Sequence, residues 1–188
     1  MSGQWPLPVG AAAWAVARCV FSSVMLLTRR RVHVPRRHVG MRLAFADGTS
    51  ARVYRETVLD RPAPVDPCVL VVEFRLRGVR GRGHALFRCE SLLNTPLFVG
   101  FPGFVSKLWV ANDVHGAYRG VYEWDGAGRA EAYARALWRV LALVSARESI
   151  HYRVVPGLQR SDLLASPELL VRGAPVETAD WWRLVDVT

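Results

Sequence analysis

The chain has 188 residues, of which 51% are hydrophobic and 22% charged, as expected of one folded domain with additions and not of a disordered protein. Its net charge is +9, but it has no zinc-finger spacing, no helix-turn-helix turn and no aromatic RNA-binding strand, so we expect no nucleic-acid partner. Three widely separated cysteines without a C-x-x-C pair predict reduced thiols and a cytoplasmic protein.

An N-terminal apolar segment, residues 7–27, is the first predicted element. Its length is close to the roughly 20 apolar residues that span a bilayer. An arginine triplet at residues 29–31 follows it, whereas a secretory signal carries its positive charge before the apolar run. In a membrane, those arginines would hold the rest of the chain in the cytoplasm. Arg18 and the many alanines instead favour a helix packed on the domain or on a second subunit. Two interpretations stay open: membrane contact through residues 7–31, or protein packing.

A β-hairpin is predicted over residues 41–57, because Asp47-Gly48 stands between two alternating segments. Residues 61–67 form a proline-rich joint that cannot continue a hydrogen-bonded ladder. The expected organisation is therefore an N-terminal extension (residues 1–66), a main domain (67–158) and a C-terminal tail (159–188).

The main domain alternates strands and helices in the order strand–helix–strand–strand–helix–strand. Its strands show alternating polarity, and its second helix has apolar residues at i, i+3, i+4 and i+7. The predicted strands are residues 69–77, 105–111, 118–124 and 150–155; the predicted helices are residues 84–94 and a segment that begins at Asp125 or Gly128. The connection at residues 97–104 is so apolar that something must cover it.

Alternation divides the predicted sheet into two faces. The first should lie beneath the helices, and it carries Leu70, Val72, Phe74, Leu76, Leu108, Val110, Tyr118, Gly120, Tyr122, Trp124, Ile150, Tyr152 and Val154. The second mixes both charge signs and should be solvated or meet a second subunit. It carries Glu73, Arg75, Arg77, Lys107, Trp109, Arg119, Glu123, His151 and Arg153.

The tail predicts a helix over residues 162–170, a turn at 173–175 and a terminal segment with Trp181 and Trp182. Adjacent tryptophans near a terminus favour docking onto the body or the neighbouring subunit. They would also be able to close the mouth of a pocket.

Two motifs in the main domain, P-G-F-x-x-K-x-W and a G-x-Y strand followed by a small-residue helix, resemble the dimeric α/β-barrel superfamily and, within it, its mono-oxygenase group. The matching residues are Pro102, Gly103, Phe104, Lys107, Trp109, Gly120, Tyr122, Ala130, Ala132 and Tyr133. The resemblance covers about half of the chain, residues 68–158. It implies an α+β fold with a ferredoxin-like βαββαβ antiparallel sheet, here with an N-terminal helix and hairpin extension and a C-terminal tail. It also implies a homodimer whose sheets face each other, and ligands bound between sheet and helices.

Four residues are candidates for catalysis. Lys107 is the only lysine among 25 basic residues and would supply a titratable amine; the alternative is an ion pair on the sheet face. A tyrosine hydroxyl in the cleft would orient a polyphenol or donate a proton, unless it only fills the core. The asparagine would hold a substrate carbonyl or cap a helix, and the histidine would act as a base or have a structural role. The candidates are Tyr122, Asn94, His151 and Lys107.

Six aromatic residues are candidates for substrate binding, because they fall on the helix-facing side, in the apolar connection or in the resembling motif. They are Tyr118, Trp124, Tyr152, Phe101, Phe104 and Trp109. The alternative for each is ordinary core packing, or a subunit interface for Trp109.

The resulting expectation is a mono-oxygenase-like enzyme acting on a hydrophobic, aromatic or polyketide-like small molecule, with no metal and no cofactor. Some members of the superfamily degrade haem, and His84 would then be the ligand, but the chain lacks the supporting residues. Three alternatives stay open: a cyclase or isomerase on the same scaffold, a non-catalytic small-molecule-binding protein, and a membrane-associated dimer.

Overall fold

The computed structural model describes residues 6–79, 81, 83, 84, 87, 91–167 and 180–188. Within them the chain is an α+β structure: eight antiparallel strands form one curled sheet, a half-barrel, and three α-helices pack around it. The α+β class expected from the sequence is confirmed.

Helix α1 (Val9–Thr28) is rich in alanine, which favours helix formation, and begins directly after Pro8. It is the helix, among those described, that is long and apolar enough to cross a membrane by length and composition alone. One side of it is buried through Ala12, Cys19 and Ser23, and its other side is exposed. The predicted protein packing is therefore present on one side of the helix.

The N-terminal extension continues with β1 (Val32–His33) and the hairpin β2 (Arg42–Phe45) and β3 (Ser50–Leu59). Gly48 adopts a φ of +82° in the hairpin turn, a conformation that glycine reaches without strain. The side chain of Asp47 accepts a hydrogen bond from the backbone N–H of Thr49 and closes that turn. The predicted hairpin is confirmed.

The four predicted strands of the main domain are present within two residues of their expected ends. They are β4 (Pro67–Arg75), β5 (Phe104–Val110), β6 (Ala117–Asp125) and β7 (His151–Pro156). Their order in the sheet is β7-β4-β6-β5, and every neighbouring pair is antiparallel. The central β4 pairs with β6 over its whole length.

Helix α2 (Ala127–Val144) follows β6 and buries Ala130, Tyr133 and Ala134 against the sheet, as its periodicity predicts. Helix α3 (Arg160–Ala165) and β8 (Leu184–Val187) form most of the described tail. Short 3-10 helices cover Ser91–Leu97, Arg147–Ser149 and Asp180–Trp182. Residues 85, 86 and 88–90 of the predicted helix at 84–94, residues 168–170 of the predicted tail helix and the turn at 173–175 lie outside the described residues.

The extension and the tail belong to the same sheet as the main domain. Strand β3 pairs with the edge of β5, β2 pairs with β3, and β8 pairs with β2. The sheet therefore curls over one of its own faces and encloses a core with the tail. Its buried members are Leu43, Phe45, Ala51, Val53, Val69, Val71, Leu108, Val110, Val121, Leu163, Trp182 and Leu184. Trp182 thus docks onto the body of the protein, away from the opposite face, where the helices lie.

The second face of the central strands lies beneath α1 and α2, and Tyr122 and Trp124 point toward these helices as predicted. The core there comprises Cys68, Leu70, Val72, Phe98, Val99, Phe104, Trp109, Tyr122, Trp124, Tyr133 and Tyr152. Ten of its eleven named members are aromatic or branched aliphatic residues, whose burial is the main source of folding free energy.

Helix α1 covers the apolar connection at residues 97–104. The hydroxyl of Ser23 donates to the carbonyl of Pro96 at 2.8 Å and accepts from the N–H of Gly100 at 2.8 Å. A Cβ at Gly100 would lie 2.2 Å from the carbonyl oxygen of Cys19, so only glycine permits this approach.

The predicted positions of Lys107 and Trp109 on the charged face are wrong. Both side chains lie on the helix-facing side, where they pack with Tyr122, and Leu108 and Val110 lie in the opposite core. Within β5 the two sets alternate as predicted, but their faces are exchanged, because Lys107 pairs with Tyr122 and Trp109 pairs with Gly120 on the helix-facing side.

The charged face is also not left free for solvent or for a second subunit. Arg119 is buried there and forms an ion-pair cluster within the chain, with Asp47 at 2.7 Å, Glu73 at 2.6 Å and Asp113 at 2.9 Å. The cluster joins the β2–β3 turn to the β5–β6 turn, because Asp47 and Asp113 belong to those turns. A homodimer stays a prediction, and it would need a different surface from this one.

Candidate functional site

A cavity of about 610 Å³ lies between the central strands and α2. Its walls are apolar and aromatic, with Leu137, Val140 and Leu141 from α2 on one side. The rings on the sheet side and in the connections are Tyr54, Phe74, Phe98, Trp109, Tyr118 and Tyr122. A cavity of this volume fits a drug-sized organic molecule, since ligand pockets usually measure about 300–1,000 Å³.

Lys107 lines this cavity together with two other basic residues, Arg77 and Arg119. It is 7% exposed, and its Nζ lies 3.1 Å from the ring centroid of Trp109, 4.6 Å from that of Phe98 and 4.7 Å from that of Tyr122. Among the described residues, none forms a hydrogen bond or an ion pair with it. The ion pair with Glu73 or Glu123 that the sequence left open is therefore not formed, and Glu73 pairs with Arg119 instead.

Burial lowers the pKa of Lys107 well below its usual value, and the nearby positive charge of Arg55 lowers it further. The faces of the surrounding rings raise the pKa of Lys107, because they stabilise its charged form: a cation over an aromatic ring gains about 0.5–2 kcal/mol. Desolvation of an unpaired ammonium costs more than this, so we expect the pKa to remain lowered. The amine is therefore a base and nucleophile available closer to neutral pH than that of a surface lysine.

Arg55 on β3 is a second buried cation next to the same indole. It is 6% exposed, and its guanidinium carbon lies 3.9 Å from the ring centroid of Trp109. Only its Nη2 is bonded, to the hydroxyl of Thr95 at 2.8 Å, and its Nε and Nη1 have no hydrogen-bond partner. Burial lowers the pKa of Arg55 as well. Two cations with unused donors therefore contact one aromatic ring.

Tyr122 and Tyr133 form a hydrogen-bonded pair of phenols in the cavity wall. The hydroxyl of Tyr133 donates to that of Tyr122 at 3.2 Å. Burial raises the pKa of Tyr122. Burial also raises the pKa of Tyr133, and the neighbouring Tyr122 raises it further. Both phenols are therefore protonated across the physiological range and act as donors and not as bases. Gly120 makes room for this pair, since a Cβ there would lie 2.6 Å from the ring of Tyr122.

Two further predicted residues, Tyr118 and Asn94, also line the cavity. The ring of Tyr118 stacks on that of Phe74, with centroids 5.8 Å apart, and its hydroxyl lies 3.0 Å from Nδ1 of His84. Asn94 belongs to the 3-10 helix Ser91–Leu97 and not to the end of an α-helix. The structure therefore brings together Tyr122, Asn94, Lys107, Tyr118 and Trp109.

The other five candidates do not line this cavity. Trp124 and Phe104 are fully buried and pack on each other, and Phe101 packs against Tyr133. Tyr152 belongs to the same aromatic core without contacting the cavity. His151 lies near Trp181, 5.9 Å between ring centroids, and burial lowers its pKa, followed by the effect of Arg75.

Sequence reasoning missed three residues of the site: Tyr54, Arg55 and Tyr133. Tyr133 falls in the apolar stripe of α2, and nothing in a helical pattern separates a core tyrosine from one that reaches a cavity. Tyr54 and Arg55 lie in the extension, which the proline-rich joint separates from the main domain in sequence. A bulge between Val53 and Arg55 in the β3–β5 pairing hides the alternation that would have placed them.

Among the described residues, no three His, Cys, Asp or Glu side chains are grouped as metal ligands would be. No family model, no curated protein and no solved structure matches the chain. Any function assigned to the chain therefore rests on the cavity and its residues.

Proposed function

We propose that the protein is a mono-oxygenase-like enzyme that binds a hydrophobic, aromatic or polyketide-like small molecule in the cavity between sheet and helices. One observation carries the proposal: a buried lysine amine without an acidic partner among the described residues stands in the wall of an aromatic cavity of about 610 Å³. Such a group is costly to the fold and useful to an acidic ligand.

The aromatic wall determines the kind of molecule that fits. Trp109, Phe98 and Tyr118 offer ring edges and faces to a planar ligand. Lys107 and Asn94 supply the few polar contacts that fix its orientation. A polycyclic phenol or enol satisfies both requirements, because it is flat, mostly apolar and carries an ionisable hydroxyl group.

The chemistry begins with proton transfer. The neutral amine of Lys107 accepts the proton of the substrate hydroxyl, and the ammonium formed stabilises the resulting anion together with nearby Arg55. An electron-rich anion of this kind is the substrate that oxygen requires when it reacts without a metal or flavin. The phenols of Tyr122 and Tyr133 stay protonated and donate hydrogen bonds to substrate oxygens.

The order of the strands fits the ferredoxin-like fold that the resemblance implies. Strand β6 lies between β4 and β5, as expected for a ferredoxin-like βαββαβ unit, so we propose that residues 67–158 form one. We also propose a cytoplasmic homodimer, which in this chain would use a surface other than the covered sheet face.

The decisive experiment measures turnover of polycyclic phenols such as 2-naphthol and its larger homologues under ¹⁸O₂, with products followed by mass spectrometry. We expect ¹⁸O in the product, and a loss of about 10²–10⁴-fold in kcat for Lys107→Met, the range typical of a general base. Arg37→Met is the matched control, because Arg37 is exposed and the substitution removes the same charge. Tyr122→Phe and Asn94→Ala should raise KM or lower kcat less strongly, since they affect orientation.

The alternatives predict different results. A cyclase or isomerase would turn over the substrate equally well without oxygen. A non-catalytic binding protein would bind the phenol at one site per chain and leave it unchanged. Failure of every phenol to bind would refute the proposal.

The exposed side of α1 favours a second proposal, contact with an anionic membrane surface. Trp14 and Phe21 are 67% and 72% exposed, and Val24, Met25 and Leu27 extend the same apolar surface. The arginine triplet, residues 29–31, follows the helix directly and is complementary to acidic headgroups.

A further inference from the structure

We propose that Lys107 forms a covalent imine with an aldehyde or ketone group of the hydrophobic ligand. The inference deepens the proposed function and rests on it, because it assigns a carbonyl group to the same ligand in the same cavity. It gives Lys107 a nucleophilic role in addition to its role as a base.

Among the described residues, no acidic side chain lies beside the amine to hold its proton. Its Nζ is surrounded by the rings of Trp109, Phe98 and Tyr122 and contacts no carboxylate of the described residues. A lysine that only stabilised the fold would be expected to pair with an acid, and buried lysines without a partner are rare in proteins. Lys107 instead faces a cavity large enough for an organic molecule.

A neighbouring cation completes the arrangement that activates an amine. Arg55 contacts the same indole as Lys107, and its charge disfavours a second positive charge nearby. Desolvation and an adjacent cation are the two established means by which proteins keep a nucleophilic lysine unprotonated. Both act on Lys107.

The reaction balances with the carbonyl ligand alone. The lone pair of Nζ attacks the carbonyl carbon, a C–N bond forms, and one proton moves from nitrogen to oxygen to give a carbinolamine. Loss of water then breaks the C–O bond and forms the C=N bond. Tyr122, whose hydroxyl is protonated and is held by Tyr133, is a proton donor on the same wall for the departing oxygen.

An imine would make protons on the adjacent carbon more acidic, which matches a ligand of the polyketide type, whose carbonyl groups alternate with CH₂ groups. The same intermediate serves a cyclisation or an isomerisation.

The sequence makes the test unambiguous, because Lys107 is the only lysine and the N-terminus supplies the one other amine. The full chain is incubated with 2-naphthaldehyde and sodium cyanoborohydride at pH 7, and the adduct is located by peptide mass spectrometry. We expect labelling at Lys107 at least tenfold faster than at the N-terminus. We also expect no label at position 107 in Lys107→Arg or Lys107→Met, with Arg37→Met labelled like the wild type.

Two further measurements separate the possible failures. Binding of 2-naphthol, which cannot form an imine, is followed by quenching of tryptophan fluorescence, and excess 2-naphthol should slow the labelling. Binding of 2-naphthol without any adduct at Lys107 overturns the imine and leaves the cavity as a binding site. Absence of both binding and labelling overturns the imine together with the proposed function. If excess 2-naphthol does not slow the labelling, the reaction takes place outside the cavity, and this result also overturns the imine.

Discussion

Replacement of Lys107 by methionine should stabilise the protein slightly at neutral pH. Methionine keeps the buried aliphatic stem and removes an amine without a partner, whose burial costs about 1–3 kcal/mol. The substitution also loses the contact of the cation with Trp109, which is worth about 0.5–2 kcal/mol. We therefore expect a gain of about 1 kcal/mol in the free energy of unfolding, which raises Tm by about 2–4 °C in a chain of this size.

The difference in stability between the wild type and Lys107→Met should depend on pH, and the pKa of Lys107 determines the direction of the change. Because the pKa of Lys107 is lower in the folded than in the unfolded state, the unfolded chain binds more protons between the two values. Within that pH window, the free energy of unfolding of the wild type should therefore rise with pH compared with that of Lys107→Met. The rise should be at most about 1.4 kcal/mol per pH unit. The advantage of the variant should be largest at acidic and neutral pH and should shrink as pH approaches 10.5.

Thermal unfolding followed by circular dichroism from pH 6 to 10 measures both effects, with Arg37→Met as the control for the change in net charge. A Lys107→Met protein that is less stable than the wild type by more than about 1 kcal/mol would refute the reasoning. So would a difference in stability that does not change with pH. Either result would mean that Lys107 has a stabilising partner in the fold.

Three further predictions concern other parts of the molecule. Gly100→Ala should destabilise the protein by about 1–3 kcal/mol in urea unfolding, because the added Cβ meets the backbone of α1. Ser23→Ala is the comparison and should lose only the hydrogen bonds of the Ser23 hydroxyl. Equal losses of stability in the two variants would contradict the close approach of Gly100 to α1. Asp125→Ala should lower Tm at pH 7, because the side chain accepts from the N–H groups of Val65 and Asp66. Hydrogen bonds, that from Asp66 first, lower the pKa of Asp125, so the loss should vanish as pH falls through the folded pKa; a loss that persists in acid would contradict this origin. Trp14→Glu with Phe21→Glu should abolish sedimentation with phosphatidylserine vesicles and leave binding of 2-naphthol unchanged; vesicle binding that survives would show that α1 is not the contact.

The strands of the main domain could be predicted from sequence because each ends at strong turn residues. Asp113, for example, accepts from the N–H groups of His115 and Ala117 and fixes the β5–β6 turn locally. Interactions of this kind depend on neighbours in sequence, so a pattern along the chain records them. The same is true of the hairpin at Asp47-Gly48.

The faces of β5 could not be predicted in the same way. Lys107 looked like a solvent-facing residue because a charged side chain usually is one, and both alternating sets of the strand contain large apolar residues. The register with β6, in which Lys107 pairs with Tyr122, decides which set faces the helices, and the sequence of β5 alone does not record that register. Likewise, the part of the cavity formed by Tyr54 depends on β3 reaching the edge of β5 across a long sequence separation.

The arrangement around Trp109 is difficult to explain by folding alone. Lys107 and Arg55 repel each other, Nε and Nη1 of Arg55 have no hydrogen-bond partner among the described residues, and apolar residues of similar size would fill the space at lower cost. Local conflicts of this type concentrate at functional sites. The identity of the residue adds to the argument, because this chain uses arginine at all its other basic positions. Arginine cannot lose its proton in a protein, whereas an amine can. If charge alone were required, Lys107→Arg would preserve function; if the neutral amine is required, Lys107→Arg should be as inactive as Lys107→Met while the tryptophan contact of the cation is retained.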